Sequence, residues 1–154
     1  EVNADGAVTE LTRQNNLLVH RLGGRECLKD TFLPEKEPND TSQTAQRLQG
    51  GQVKPGTCFT VSGMIGAADV DRYRLRSSQM QVLEVTVTHS DRTAFSVRLM
   101  NATDTEIAGQ CEPTPTVNSC IFGLEASADK ETFELVLEPT FGAGTYTLDL
   151  VSSP

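Results

Sequence analysis

From about residue 57 to the end of the chain, apolar and polar residues alternate in short runs separated by turn residues. Leu83, Val85 and Val87 fall on one side of such a run and Glu84, Thr86 and Thr88 on the other, the two-residue period of a strand with one buried face. The same period recurs in Phe95, Val97 and Leu99, in Phe133, Leu135 and Leu137, and in Tyr146, Leu148 and Leu150. Weaker runs cover 57–65, 71–76, 106–110 and 120–125, which makes about eight strands. With no helical pattern between them, they predict an all-β fold of antiparallel strands, a β-sandwich or jelly roll, because two half-apolar sheets must cover each other.

The first thirty residues read differently. Val8, Leu11, Leu18, Val19 and Leu22 recur at helical spacing, Gly23-Gly24 supplies a stop, and Asn15-Asn16 interrupts the stripe. Residues 1–30 are therefore expected to form a separate N-terminal segment, helical or a linker, ahead of a sandwich domain over 31–154. A second short helical turn is predicted over 41–48, capped by Asp40 or Thr41, with Ala45 and Leu48 inward and Gly50-Gly51 ending it.

At 154 residues the chain fits one domain able to bury roughly two-thirds of its extended surface. Its formal net charge of -8 predicts no basic face for phosphate backbones, so nucleic acid is not an expected partner and a cation is. No apolar run reaches the ~18 to 20 residues of a membrane-spanning helix. The chain starts at Glu1, without methionine or a signal-like segment, and reads as a mature or excised piece of a larger protein. Four cysteines stand at 27, 58, 111 and 120 without a C-x-x-C spacing. Cys111 and Cys120 bracket a proline-rich turn, so a bridge closing that loop is expected. A Cys27–Cys58 bridge would tie the N-terminal segment to the first strand and contribute roughly 3 to 4 kcal/mol. Two disulfides imply an oxidising, secreted or extracellular setting, with cell surface and periplasm included. Four free thiols in a reducing compartment is the competing reading.

Two acidic segments carry the candidate chemistry. Glu35, Glu37 and Asp40, with the Asn39 amide, lie some thirty residues before Asp69 and Asp71. Calcium takes about 6 to 8 hard oxygens, so the two segments together could supply most of a shell. Like charges gathered this closely repel unless a cation neutralises them, and a shared ion would pin the entering segment to the sandwich. The plainer reading is a solvated acidic loop with a turn at Pro38-Asn39.

Four elements in order, Glu35 to Asp40, Val61-Ser62-Gly63-Met64-Ile65, Asp69 to Tyr73, and Ala143-Gly144-Thr145-Tyr146, resemble the bacterial pre-peptidase C-terminal domain family over residues 35–151. That family comprises secreted β-sandwiches appended to extracellular peptidases, collagenases included. The resemblance implies calcium at Glu35, Glu37, Asn39, Asp40, Asp69 and Asp71, and a role in binding or positioning. Collagen recognition in the family leans on exposed tyrosines, whereas Tyr73 and Tyr146 both fall at framework positions here. With no tryptophan and 5% aromatic residues, stacking platforms for sugars are also missing.

Two glycosylation sequons occur, at Asn39 and Asn101, and Asn101 falls in an expected exposed turn after a strand. Catalysis finds little support: there is no G-x-S-x-G, H-E-x-x-H or nucleotide loop, and His20 and His89 sit in unrelated settings, His89 reading as a surface residue at a strand end. Asp69 and Glu37 could be paired as glycosidase carboxylates, but no aromatic subsite surrounds them. The expected function is a non-catalytic, calcium-stabilised extracellular binding or accessory module of a secreted peptidase or surface protein. Two alternatives remain: an adhesion or assembly domain that binds a protein partner without calcium, and a small hydrolase.

Overall fold

A computed structural model describes residues 31–125 and 131–154. It contains eleven strands: β1 (Thr31–Pro34), β2 (Gln46–Gln52), β3 (Cys58–Ile65), β4 (Asp71–Ser77), β5 (Gln81–His89), β6 (Ala94–Met100), β7 (Glu106–Ile107), β8 (Gly109–Pro113), β9 (Val117–Leu124), β10 (Glu131–Phe141) and β11 (Gly144–Ser153). They form two sheets, ordered β1-β3-β11-β5-β9-β8 and β2-β4-β10-β6-β7. No helix occurs among the described residues, and the helical reading of 1–30 lies outside them.

The four strongest alternating runs become β5, β6, β10 and β11, which occupy the middles of the sheets. Leu83, Val85, Val87, Leu148 and Leu150 of the first sheet face Leu75, Leu99, Leu135 and Leu137 of the second, all essentially buried. Removing such side chains from water stabilises the fold by about 1.5–3 kcal/mol each. The alternation alone fixes which face is inward, since a slip of one residue would turn the whole apolar set to solvent.

The sheets are not purely antiparallel as expected. β1 pairs parallel with β3, and β2 pairs parallel with β4; both are short edge strands brought in by connections that cross between the sheets. The predicted strand over 106–110 is really two, β7 and β8, which leave for opposite sheets. The predicted helical turn over 41–48 is also corrected. Thr41 to Thr44 form a turn closed by a backbone bond of 3.1 Å between Thr44 N–H and the Thr41 carbonyl, and β2 follows. Gln46 and Leu48 are buried while Arg47 between them is exposed, a period of two. The edge of β4 offers this segment backbone partners that a single helical turn could not match.

Cys111 and Cys120 stand opposite each other in the β8–β9 ladder and form a disulfide, as expected. There is no free cysteine among the described residues; the Cys27 half of the second expected bridge lies outside them. His89 ends β5 but is buried rather than a surface residue. Its ring packs edge-on against Phe95 at 5.2 Å and its Nδ1 lies 2.8 Å from the Ser90 carbonyl, so the ring closes the end of the core.

Candidate metal centre

At one end of the sandwich four chain segments converge: the end of β1, the end of β3, the turn into β4, and the start of β11. Beyond β1 the Glu35 N–H still bonds the Ser62 carbonyl at 3.0 Å, which carries the acidic segment along the edge of β3. The Glu35 carboxylate then accepts the Met64 N–H at 2.7 Å. Further on, the Asn39 carbonyl accepts the Arg72 N–H at 3.2 Å, and the Asn39 N–H donates to Glu37 at 3.0 Å. The segment is thereby fastened to both sheets, to β3 of the first and β4 of the second.

Asp69 closes the turn before β4, its two carboxylate oxygens accepting the N–H groups of Gly66 and Val70 at 3.2 and 3.1 Å. Two residues later Asp71 opens β4 on the same face as Tyr73 and Leu75, so its side chain enters the interior and is completely buried. The carboxylates of Glu35, Glu37 and Asp71 each bring an oxygen within 4.8 Å of the others, and so do those of Glu37, Asp40 and Asp69. Glu37 joins the two triads. Asn39, also completely buried, donates its Nδ2 to Glu35 at 3.4 Å. All six residues named from the sequence therefore lie together, whereas Asn101 sits in the separate β6–β7 turn, its Oδ1 accepting the Thr103 and Thr105 N–H groups.

The electrostatics are one-sided. None of the five carboxylates forms an ion pair with a lysine or arginine among the described residues. Burial pushes the Asp71 carboxyl up to about 8; the Tyr146 hydroxyl bond opposes that shift, while Glu35 and Asp69 add to it. Glu37 is also raised, by lost hydration and by the charges of Glu35, Asp69 and Asp40, against the pull of the Asn39 N–H.

Beneath the carboxylates lies a pair of tyrosines that the sequence reading assigned only to the framework. The Tyr146 hydroxyl is 2.6 Å from Asp71 and 3.2 Å from Glu35. It has one proton, and the shorter bond directs that proton to Asp71. Tyr73 then donates to the Tyr146 oxygen. Burial raises both phenols, so they stay neutral donors. Gly63 is a third residue whose part in the site was missed. A Cβ there would stand 2.5 Å from Tyr146 Cζ, so the glycine of the Val61–Ile65 element makes room for the ring opposite it in the β3–β11 register. A buried tyrosine needs a partner for its hydroxyl, and that was the available signal.

Two oxygens are left over. Asn39 Oδ1 and Asp71 Oδ1 are buried and accept no hydrogen bond among the described residues. Exchanging the Asn39 amide atoms would set an oxygen against the Glu35 carboxylate, so the Glu35 contact fixes which amide atom is free. The arrangement offers a set of hard oxygens, most of them anionic, with no nitrogen or sulfur ligand among them. Such a set suits a hard divalent cation and not zinc or copper.

No family model and no curated protein matches this sequence. Among solved structures, the chain is similar to the pre-peptidase C-terminal domain of a collagenase from Bacillus anthracis, at 17% identity and a TM-score of 0.53, covering 75% of this chain and 99% of that domain. It is also similar to Aeromonas hydrophila PliG, a periplasmic lysozyme inhibitor of g-type lysozyme, at 12% identity and a TM-score of 0.50, covering 81% and 98%. The chain has the β-sandwich fold of a pre-peptidase C-terminal domain, and the resemblance carried by its four sequence elements is borne out in that fold.

Proposed function

We propose that this chain is a non-catalytic extracellular binding or accessory module, of a secreted peptidase or surface protein, whose entering segment is clasped to the sandwich by calcium. The observation that carries the reading is the pair of buried oxygens, Asn39 Oδ1 and Asp71 Oδ1, that have no partner among the described residues, beside carboxylates with no basic partner among them. An orphaned buried acceptor costs roughly 1–3 kcal/mol, more when charged. Uncompensated carboxylates add their mutual repulsion, and one divalent cation removes both penalties. Glu37, Asn39, Asp40, Asp69 and Asp71 would hold the ion. Glu35, whose oxygens already face the Met64 N–H, Asn39 Nδ2 and Tyr146 hydroxyl, orients the others and adds charge. Calcium suits the site better than magnesium, because ligands from a loop, a turn and a strand start accommodate its larger, irregular shell.

The bound ion would take the place of the Asp71 proton and fasten residues 35–40 to β3 and β4. The module would then present a rigid junction to whatever precedes it. Thermal melts and calorimetric titration of chelator-treated protein test this. Calcium at about a hundred times its Kd raises stability by about 2.7 kcal/mol, and Asp71→Asn removes most of that rise. Unchanged melting in millimolar calcium, or a full calcium response in the variant, would sink the proposal.

A further inference from the structure

The outer face of the second sheet carries a feature unrelated to the acidic end. The net charge predicts no basic face, yet the fold collects arginines on one. Arg72, Arg74 and Arg76 alternate along β4 with the buried Asp71, Tyr73 and Leu75, so all three point outward. Arg47 of β2 lies beside Arg74 in the sheet register. Together with Ser42, Thr132 and Glu134, three of these arginines line an open groove of about 670 Å3.

Glu134 shows what the groove recognises. Its carboxylate lies 2.8 Å from Arg74 and 3.3 Å from Arg72 and accepts the Ser42 hydroxyl at 2.6 Å. That engages two of the four guanidiniums. The guanidinium groups of Arg47 and Arg76 make no ion pair or hydrogen bond among the described residues, and both residues are exposed. Two like charges held open beside a third, in a chain of net charge -8, present an unbalanced cationic row. Guanidiniums bind carboxylates through paired, charge-assisted bonds, which lysines would not reproduce.

We propose that this groove docks an extended, carboxylate-bearing segment of a partner protein. Side chains at alternate positions of a strand repeat at about 6.6–6.8 Å, so Arg74 and Arg76, the β4 arginines of the groove, stand at the spacing of acidic residues at alternate positions of an extended peptide, with Arg47 beside Arg74 in the next strand. Ser42, Thr132 and Asn101 at the groove supply neutral hydrogen-bonding groups for the residues between. A dense polyanion fits less well. Glu134 and Asp104 both line the groove and would repel a ligand that is negative at every position, whereas a peptide with alternating charge places neutral residues against them.

The test is titration of the protein with a short capped peptide of alternating Glu and Thr, followed by amide shifts or calorimetry, with its Gln-for-Glu counterpart as control. The acidic peptide binds, with shifts confined to β2, β4 and β10, and the Gln peptide does not. Arg47→Ser with Arg76→Ser weakens binding about tenfold or more, the loss expected when charge-assisted bonds are removed. If that pair of changes unfolds the protein, Arg47→Lys with Arg76→Lys keeps the charge while removing the paired bonds and still weakens binding severalfold. Equal affinity for the Gln peptide, unchanged affinity in the folded variants, or tighter binding of heparin or a single-stranded oligonucleotide than of the peptide overturns the proposal.

Discussion

Gly63→Ala is the most discriminating single change, because two effects of opposite sign compete there. A glycine in a strand interior costs roughly 0.5–1 kcal/mol relative to alanine, so backbone preference alone predicts a gain. The added Cβ, however, meets Tyr146 Cζ at 2.5 Å, its hydroxyl oxygen at 2.6 Å and Cε1 at 2.8 Å. The ring has little room to retreat, since Phe95 packs against it at 5.5 Å and its hydroxyl is held by Asp71 and Tyr73. Overpacking of this kind costs about 1–3 kcal/mol, and drawing the hydroxyl off Asp71 adds about 1–3 kcal/mol for a buried acceptor that loses its donor. The net expectation is a loss of about 1–5 kcal/mol. Gly123→Ala on β9 is the control, as a Cβ there meets nothing within 4 Å. Urea unfolding of both variants, with and without calcium, decides the matter. Gly63→Ala should fall well below Gly123→Ala at unchanged m-value and, on the proposed calcium reading, should also weaken the response to calcium, because Tyr146 orients Asp71. If the two alanine variants agree within about 0.5 kcal/mol, the size expected of changes away from special features, the tyrosine does not fill that space and its role beneath the carboxylates is refuted.

Two further predictions concern pH and have opposite signs. The folded Asp71 carboxyl, at about 8, lies above its ordinary value of 3.8; its contribution is therefore full below 3.8 and is lost as pH rises through 8. Calcium-free protein should lose melting temperature across that window, and Asp71→Asn should flatten the decline; coincident slopes for the two proteins would refute the burial argument. Glu134 behaves in reverse: burial opposes its ionisation, but the Ser42 hydroxyl and the Arg74 and Arg72 guanidiniums outweigh it and hold its carboxyl below 4.5. Its stabilisation is present above that value and fades as pH falls through the folded one. Glu134→Gln should cost about 1–3 kcal/mol at neutral pH and much less in acid, as measured by urea unfolding at both pH values.

The alternation of Leu83, Val85 and Val87, and of its three counterparts, was sufficient to specify the four central strands and their inward faces, because a strand with one buried side writes a period of two into the chain. The acidic residues of the two segments were legible for a related reason: hard-oxygen side chains gathered twice within a short stretch are chemically conspicuous wherever they end up. The Cys111–Cys120 bridge was readable because a short turn leaves its flanking residues little choice of partner. The helical reading of 41–48 failed because that segment's partner, the edge of β4, is remote in sequence, and a pattern of a few residues cannot reveal an edge it will join.

What only the tertiary structure decided is which groups share a space. Asp71 and Asp69 are two residues apart, yet one is completely buried and the other closes a turn, because β4 begins between them and directs Asp71 inward. Tyr146 lies 75 residues beyond Asp71 in sequence and 2.6 Å from it in the fold, a contact set by the β3–β11 register and by the space left at Gly63. The net charge was likewise fixed by composition, while its division into an acidic end and an arginine-lined groove was not. Charge and hydrophobic period are sums and sequences along one dimension; burial, desolvation and convergence depend on distances that exist only once the two sheets have closed on each other.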